Sequence, residues 1–346
     1  IIPTQHKRKN TRAIDPTTGR PYTFWFVNNT SQSNGTFKSP FHTLVDAQNA
    51  SAPNDVIYVF TGDGTSKGMD VGITLKDNQK LFGAGIVQTL PTTLGLMNIP
   101  VHSNGIPVVN NINLNGAAVT LANNNEISGM HIISSNFGSG ILGGSNEYPA
   151  DVFGVINTNI HNNLITNITG VSPDNFGGIV LSNCTGNLVI QNNTFSDISF
   201  AGINVVNSTT IDTINSTLRI ANNTFSNIGQ NGISVQHESG NLDFCILDNT
   251  IEDTNSSLID PGLGSIFMGQ IGGNGVACGT ISGNEIVTSD LNSIYITSNA
   301  GNLNVEVIEN TARDTDGLFA SSTGAGNVCL GLNKNSDDEF TLGDIS

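Results

Sequence analysis

The fold is decided by two similar segments, IQNNTFSDISFAGINVV at residues 190–206 and IANNTFSNIGQNGISVQ at residues 220–236. Each contains an Asn-Asn pair, a short segment that begins Thr-Phe, and an apolar run that follows a glycine. The second segment begins 30 residues after the first. Similarity at a fixed period of roughly 20–50 residues is the signature of a repeat architecture. The chain is therefore expected to be built from stacked structural repeats.

The second Asn of each pair marks a position that recurs along the chain. Successive equivalents are separated by 25 to 38 residues. An apolar strand precedes this position, a second strand follows it, and a third strand completes the repeat. The residues at this recurring position are called anchor residues here. They are predicted to be Asn125, Asn163, Asn193, Asn223, Asn249, Asn284, Asn310 and Asn335.

Three short strands per repeat predict an all-β fold, a right-handed parallel β-helix in which each repeat forms one three-strand coil. Strands of successive coils would pair in parallel about 4.8 Å apart. Asn tolerates left-handed backbone angles, and its amide can bond the Asn of the next coil. We therefore expect the eight anchor residues to form an Asn ladder at one corner of the coils.

The ends of such a solenoid need caps. The segment SPFHTLVDAQNAS at residues 39–51 predicts a short N-terminal capping helix with Ser39 as its N-cap. The predicted organisation is a single domain in four parts. These parts are an N-terminal arm at 1–20, the cap and first coils at 21–85, the parallel β-helix at 86–336 and an acidic C-terminal tail at 337–346.

The charge distribution argues against two classes of partner. The chain has 12 Lys and Arg against 28 Asp and Glu, a formal net charge of −16, and nine of the basic residues lie within the first 80 positions. Nucleic-acid binding requires clustered Lys and Arg, so no nucleic-acid partner is expected. No apolar run is long enough for a transmembrane helix, so no membrane insertion by this segment is expected.

The four cysteines are Cys184, Cys245, Cys278 and Cys329. None belongs to a C-x-x-C motif, which argues against a zinc site. Apolar residues flank the last three, and these are interpreted as buried thiols that fill the core. A disulfide or a reactive thiol is the alternative.

The segment PYTFWFVNNTSQSNGTFKSPFHTLVDAQNASAPNDVIYVFTGDGTSKGMDVGITLKDNQKLFGAG at residues 21–85 combines a strand, the pattern GTF-x-x-PF-x-TL-x-x-A, the strand NDVIYV and the sequence LFGAG. This scheme resembles the opening of bacterial β-helix proteins of the pectin-lyase-like superfamily. It is most similar to passenger regions of bacterial surface proteins, including those of inverse autotransporters. The resemblance implies an extracellular or bacterial cell-surface location. It does not select an activity, because this fold carries lyases, hydrolases and adhesins alike.

A column of carboxylates supplies the candidate catalytic residues. Asp197 and Asp253 each lie four residues after an anchor Asn and two coils apart. That is about 10 Å at the strand spacing, near the separation of the two carboxylates in an inverting glycosidase. The alternative is a solvated turn edge. A polyuronate lyase is disfavoured, because the coils supply only Arg219 and Arg313 as cations apart from Lys334.

Other candidate sites involve metal and sugar binding. No cofactor is expected, with Ca²⁺ as the one candidate ion at Glu309, Asp314 and Asp316, whose carboxylate oxygens suit a hard cation. Phe137 and Tyr148 lie in the turn segment 134–152 and are candidates for stacking on sugar rings.

These observations predict a secreted or cell-surface bacterial β-helix protein. Its expected role is that of an adhesin-like or structural passenger that presents a polar, acidic surface. The expected partners are glycans, a host or neighbouring cell surface, or further copies of itself. The sequence argues against an enzyme. The first alternative is a polysaccharide-degrading enzyme, either a lyase or a glycoside hydrolase, and the second is a self-assembling extracellular filament subunit.

Overall fold

The computed structural model describes residues 12–134, 136, 138–144, 154–169, 177–207, 215–254, 264–270, 275–289, 292–322 and 325–337. It confirms the predicted parallel β-helix, in which three long parallel sheets are wound as successive coils. Each regular coil places one strand in sheet 1, the next in sheet 2 and the next in sheet 3. The strands are numbered along the chain.

Sheet 1 has eleven strands, and all of its neighbouring strands are parallel. They are β1 Phe24–Val27, β2 Val56–Val59, β4 Lys80–Gly83, β9 Asn125–Ser128, β12 Ile156–His161, β15 Thr185–Gln191, β18 Asn215–Ala221, β21 Asn241–Leu247, β24 Val276–Ser282, β27 Asn302–Ile308 and β30 Asn327–Asn333. Both 21–85 and 86–336 contribute strands to this sheet, and the division between them stays a prediction.

Sheets 2 and 3 have nine strands each. Sheet 2 consists of β7 Val108–Val109, β10 His131–Ser134, β13 Leu164–Ile168, β16 Thr194–Ile198, β19 Thr224–Ile228, β22 Thr250–Thr254, β25 Glu285–Ser289, β28 Thr311–Arg313 and β31 Ser336–Asp337. Sheet 3 consists of β3 Ile73–Thr74, β8 Val119–Thr120, β11 Ile141–Gly143, β14 Gly177–Ser182, β17 Ala201–Asn207, β20 Ile233–His237, β23 Gly264–Gln270, β26 Asn292–Ser298 and β29 Leu318–Ser322.

The core is made of like side chains stacked from coil to coil. Ile190, Ile220, Ile246 and Ile281 lie in register in sheet 1 and are fully buried. In sheet 2, the rings of Phe195 and Phe225 stack with 4.6 Å between centroids and 7° between planes. Stacking places each apolar side chain against its equivalent in the next coil, which removes both from water.

Seven of the eight anchor residues, Asn163 to Asn335, form a continuous ladder between sheets 1 and 2. Each amide nitrogen of Asn163 to Asn310 donates to the side-chain oxygen of the next ladder Asn, over 2.9 to 3.1 Å. That oxygen also accepts the backbone N–H of the preceding ladder residue. The ladder therefore satisfies backbone groups that the turn leaves out of the sheets.

Asn125 does not belong to this ladder. It lies in sheet 1, in register with Thr158, and its amide donates to the carbonyls of Lys76 and Gln79. The ladder position of that coil is Met130, whose N–H donates to the Asn163 side chain over 3.0 Å. The earlier assignment of Asn125 was therefore wrong by five positions, because NNNEIS mimics the anchor pattern one strand too early.

The left-handed residue of each turn precedes the ladder Asn. Asn162, Asn192, Asn222 and Asp248 have φ between 53° and 56°. The ladder residue itself was expected to take this conformation, and the structure places it one position earlier. This explains the Asn-Asn pair, since the first Asn accepts the left-handed backbone and the second supplies the ladder amide.

A second column of stacked polar residues, besides the Asn ladder, lies at the C-terminal ends of the sheet 3 strands. Asn207 is in register with His237, and Ser298 with Ser322. Asn207, His237 and Ser298 are buried. His237 places Nε2 3.2 Å from the Gly240 carbonyl oxygen, while its buried Nδ1 has no hydrogen-bond partner in the described part of the chain. Burial lowers the pKa of His237.

The N-terminal cap contains the predicted helix, α1 Leu44–Ala50, which contacts β1 and β3. Its N-cap is Thr43 rather than the predicted Ser39. The Thr43 hydroxyl accepts the N–H of Asp46 over 3.1 Å and donates to the Asp46 carboxylate over 2.7 Å. Side chains that bond the first turn in this way fix where a helix begins.

The outer face of the first sheet 1 strands is covered. An antiparallel hairpin, β5 Gln88–Thr92 and β6 Gly95–Ile99, packs Leu90 against Tyr58 and Phe82. The Tyr22 hydroxyl ties the N-terminal segment to this hairpin by donating to the Pro91 carbonyl over 2.8 Å. The hairpin and the aromatic side chains packed beneath it thus cover this part of the outer face. The outer face of the later sheet 1 strands is open to solvent.

Candidate functional site

A groove of about 720 Å³ runs along the open outer face of sheet 1. It crosses six neighbouring strands of this sheet, from β15 to β30, and therefore runs along the β-helix axis, the direction in which the coils stack. Polar side chains that line it are Asn187, Thr217, Arg219, Asp243, Thr280, Asn304 and Glu306.

The period-2 geometry of β-strands explains how these side chains reach one surface. Thr217, Asp243, Cys278, Asn304 and Cys329 lie in register on successive strands. A parallel column two residues along the strands contains Arg219, Cys245, Thr280 and Glu306. The residues between the columns, Leu218, Phe244 and Val305, point into the core.

Gly279 shapes the middle of the groove. A Cβ at this position would lie 2.1 Å from the Phe244 carbonyl oxygen and 2.6 Å from its ring. The bulky ring of Phe244 in one coil therefore fits only because Gly279 in the next coil has no side chain. This pairing lets a phenyl ring fill the core without distorting β21 and β24, the two strands at the centre of the groove.

Three of the four cysteines face this groove, which overturns their interpretation as core thiols. Cys245 and Cys329 are exposed, Cys278 is half-buried, and all are free thiols. Side chains alternate between the two faces of a strand, and this alternation sets the direction of the thiols. In β21, Cys245 lies between the inward side chains of Phe244 and Ile246 and therefore points outward. Cys184 is instead buried, and burial raises its pKa to about 12.

Among the described residues that line the groove are two carboxylates and one guanidinium. Asp243 and Glu306 are two strands and two residues apart in the register, which places their Cα atoms about 12 Å from each other. Arg219 lies directly across from Cys245 on the neighbouring strand. The groove therefore has a small excess of negative charge on a chain that is acidic overall.

The predicted catalytic residues lie elsewhere. Asp197 and Asp253 belong to sheet 2, where both adopt left-handed backbone angles, with φ of 55° and 51°. The Asp197 carboxylate accepts a 2.7 Å hydrogen bond from the exposed amide of Asn227, which is left-handed too. The polar residue type at these positions follows from the backbone conformation, which Asn and Asp tolerate best among residues with a side chain.

The predicted Ca²⁺ residues do not form a metal site. Glu309 precedes β28 and pairs with Lys334 over 3.0 Å, whereas Asp314 and Asp316 follow the same strand. The Arg313 guanidinium lies 3.6 Å from the Glu285 carboxylate. Within the ranges that the structure describes, no three His, Cys, Asp or Glu side chains are arranged to hold a metal ion.

The predicted sugar-stacking residues, Phe137 and Tyr148, lie outside the described residues. Sheet 3 carries a different aromatic column, Phe267, Tyr295 and Phe319, which are in register on its last three strands. Their rings stack with centroid separations of 5.8 and 4.7 Å. Because each ring covers its neighbour, this column stabilises the surface of the coils rather than offering two free faces to a sugar.

An ionic cluster lies on the same outer face, on the N-terminal side of the groove. Glu126 bonds to Lys80 on one side and to His161 Nε2 over 3.0 Å on the other. Burial would raise the pKa of Glu126, but the hydrogen bond to His161 and the charge of Lys80 outweigh it and lower that pKa. Burial, with the nearby charges of Asp15 and Glu126, raises the pKa of Tyr22 to about 12. The cluster joins three coils beneath the N-terminal segment.

Comparison with known proteins gives no matching family model, no matching curated protein and no matching solved structure. Among the residues with a described position, no helix is long and apolar enough to span a membrane.

Proposed function

We propose that this chain is a secreted or cell-surface bacterial β-helix protein that binds an extended glycan along the groove of sheet 1. The observation that supports the proposal is the open groove itself, which crosses six strands. Its polar columns repeat at the strand spacing of about 4.8 Å, so hydroxyl groups along an extended polymer meet a new donor or acceptor at each coil from β15 to β27. A long, regular groove suits a long, regular ligand.

The chemistry of the lining favours a neutral or amine-bearing glycan. Asn187, Thr217 and Asn304 supply amide and hydroxyl groups that both donate and accept hydrogen bonds. Asp243 and Glu306 repel polyuronates and attract amines, while Arg219 is the one cation among the described residues of the lining. The adhesin-like role would follow from this binding, with the rigid coils acting as the scaffold that displays it.

The test compares two tryptophan substitutions. Thr217→Trp places an indole in the groove, whereas Thr224→Trp places one on an exposed position of sheet 2. Binding of neutral, amine-bearing and uronate polysaccharides is measured by calorimetry. We expect Thr217→Trp to weaken binding by about tenfold or more, which corresponds to about 1.4 kcal/mol, and Thr224→Trp to leave it unchanged. Absence of binding across the panel, or equal effects of both variants, would contradict the proposal.

A glycan-cleaving enzyme is the second candidate, favoured by the presence of two carboxylates in one groove. Their Cα separation of about 12 Å exceeds the carboxylate spacing of inverting glycosidases, but flexible side chains shorten that distance. Release of new reducing ends that disappears in both Asp243→Asn and Glu306→Gln would establish it. The filament alternative has no specific contact in its favour and stays a prediction.

A further inference from the structure

The last coil leaves one end of the β-helix open in the part of the chain that the structure describes. The three sheets end at β29, β30 and β31, and the outer edge of each of these strands has no described neighbour. The opposite end is different, because α1 packs there and buries Leu44 and Ala47 completely. A strand edge without a neighbour is a site where a further strand can pair.

The side chains of β30 continue the core but are only partly covered. Val328, Leu330 and Leu332 extend inward columns whose residues on β27 are buried. Val328 and Leu330 are half-buried, and Leu332 is 41% exposed. The Asn ladder ends at the same coil. The Asn335 amide donates to the Val307 carbonyl over 2.8 Å, and no further ladder Asn follows it among the described residues.

The backbone of β30 presents alternate residues to its free edge. The Asn327 N–H donates to the Gly301 carbonyl over 2.9 Å, and the Asn333 carbonyl accepts the Glu309 N–H over 3.0 Å. The odd-numbered residues of β30 therefore bond to β27, while the N–H and carbonyl groups of the even-numbered residues point away from it. These groups are the donors and acceptors that a further strand would use.

We infer that the edge of β30 pairs with the same edge of a second copy of this chain, antiparallel and about a two-fold axis through Leu330. In this register Leu330 faces its own equivalent and Val328 faces Leu332, so about six hydrogen bonds form between even-numbered residues. The strand NVCLGLN is self-complementary, because Asn also faces Asn and Cys329 faces Gly331. Sliding the strands by two residues leaves Val328 or Leu332 without an apolar partner.

The shape of the open end fits the same axis. Strands β29, β30 and β31 follow one another around the last coil, so each edge stands about 1.6 Å above the one before it, a third of the strand spacing. A two-fold axis perpendicular to sheet 1 brings the high edge of β31 opposite the low edge of β29 in the second copy. The step is thereby compensated in all three sheets. Because α1 packs at the other end, the assembly closes at two copies.

Two features weaken this interface. Each chain has a formal net charge of −16, so the copies repel each other at low ionic strength. β31 also places Asp337 in register with the buried Ala312, where the preceding coil has the buried Ile286. A carboxylate is unfavourable at such an apolar position, so Asp337→Ala should tighten the dimer by about tenfold.

The experiment measures association of the full chain by sedimentation equilibrium at about 1–100 µM. A species with twice the mass of one chain is expected, and its fraction should rise toward 1 M salt, where the screening length falls to about 3 Å. Leu330→Pro removes an N–H that faces the free edge and should weaken the dimer about tenfold or more. Leu330→Val keeps this N–H and should preserve the dimer. Circular dichroism of both variants checks their fold.

Gly331→Cys tests the register. The introduced thiol would face Cys329 of the second copy in a non-hydrogen-bonded pair, with Cα atoms about 4.5 Å apart, which a disulfide can bridge. A Cβ at this position meets no atom closer than 3.6 Å, so the substitution fits the coil. Mild oxidation should give a cross-linked dimer. Addition of Cys329→Ser to this variant should prevent it, because the two introduced thiols lie on Cα atoms about 8 Å apart.

A chain that stays monomeric over the whole concentration range would overturn the inference. If removal of residues 338–346, which lie outside the described residues, then produced the dimer, that segment would be the occupant of the β30 edge. A dimer that is unaffected by Leu330→Pro, or cross-linked equally with and without Cys329, would also overturn it, because the chains would then meet elsewhere. The inference does not depend on glycan binding.

Discussion

Replacement of a single ladder residue, Asn223→Ala, tests how the coils are held together. The Asn223 amide donates to the Ile190 carbonyl over 3.1 Å and to the Asn249 side chain over 3.0 Å. Its oxygen accepts the N–H of Asn193 over 2.9 Å and the Asn193 amide over 3.1 Å. Alanine removes all four hydrogen bonds from a fully buried position.

The expected cost follows from those four bonds. Each contributes about 0.5–1.5 kcal/mol, and a buried group left without a partner costs about 1–3 kcal/mol. The Asn193 amide keeps its bond to the Ile160 carbonyl, which limits the loss. We therefore expect Asn223→Ala to lower the free energy of unfolding by about 3–5 kcal/mol.

Urea unfolding followed by circular dichroism measures this difference. The control is Asn241→Ala, which removes an exposed side-chain hydrogen bond to Asn215 and should cost about 0.5 kcal/mol. If both variants lose the same small amount of stability, the ladder does not hold the coils together.

Phe225→Ala should lower the free energy of unfolding by about 3–5 kcal/mol in the same assay, because it opens a cavity beside Phe195. Asp253→Val should destabilise by about 1–2 kcal/mol, since a β-branched residue resists the left-handed angle, while Asp253→Gly should be tolerated; equal values would contradict this. The depressed pKa of His237 means that the unfolded chain takes up a proton near pH 6.5 and the folded chain only at lower pH. Stability should therefore be full above pH 6.5 and fall as the pH drops below it, and this fall should weaken in His237→Asn, measured by urea titration at several pH values.

The repeat pattern was sufficient to predict the coils, because the anchor residues act locally and in sequence order. The pair at Asn222 and Asn223 carries both the turn conformation and the ladder bond, so the fold was readable from one motif. Where the motif is imitated, as at Asn125, the prediction failed. The polar column that includes Asn207 and His237 was not predicted, although each of these residues is the last of its sheet 3 strand.

The groove was harder to predict, because its lining comes from strands separated by 25 to 35 residues. Flanking apolar residues suggested that Cys245 was buried, whereas strict alternation within FCIL places Phe244 and Ile246 inward and the thiol outward. Alternation was therefore the more reliable signal. Asp197 and Asp253 form a real column, but a column of equal residues reflects a shared backbone angle as readily as shared chemistry.

Glycan binding along sheet 1 is tested most directly with the groove cysteines as reporters. A maleimide reagent labels Cys245, Cys278 and Cys329 with and without a saturating polysaccharide, and Thr224→Cys supplies a control thiol on sheet 2. If the glycan lies in the groove, the polysaccharide should slow labelling of the groove thiols and leave the control rate unchanged. Labelling of the groove thiols at an unaltered rate, with the polysaccharide bound, would place the ligand elsewhere and exclude binding along sheet 1.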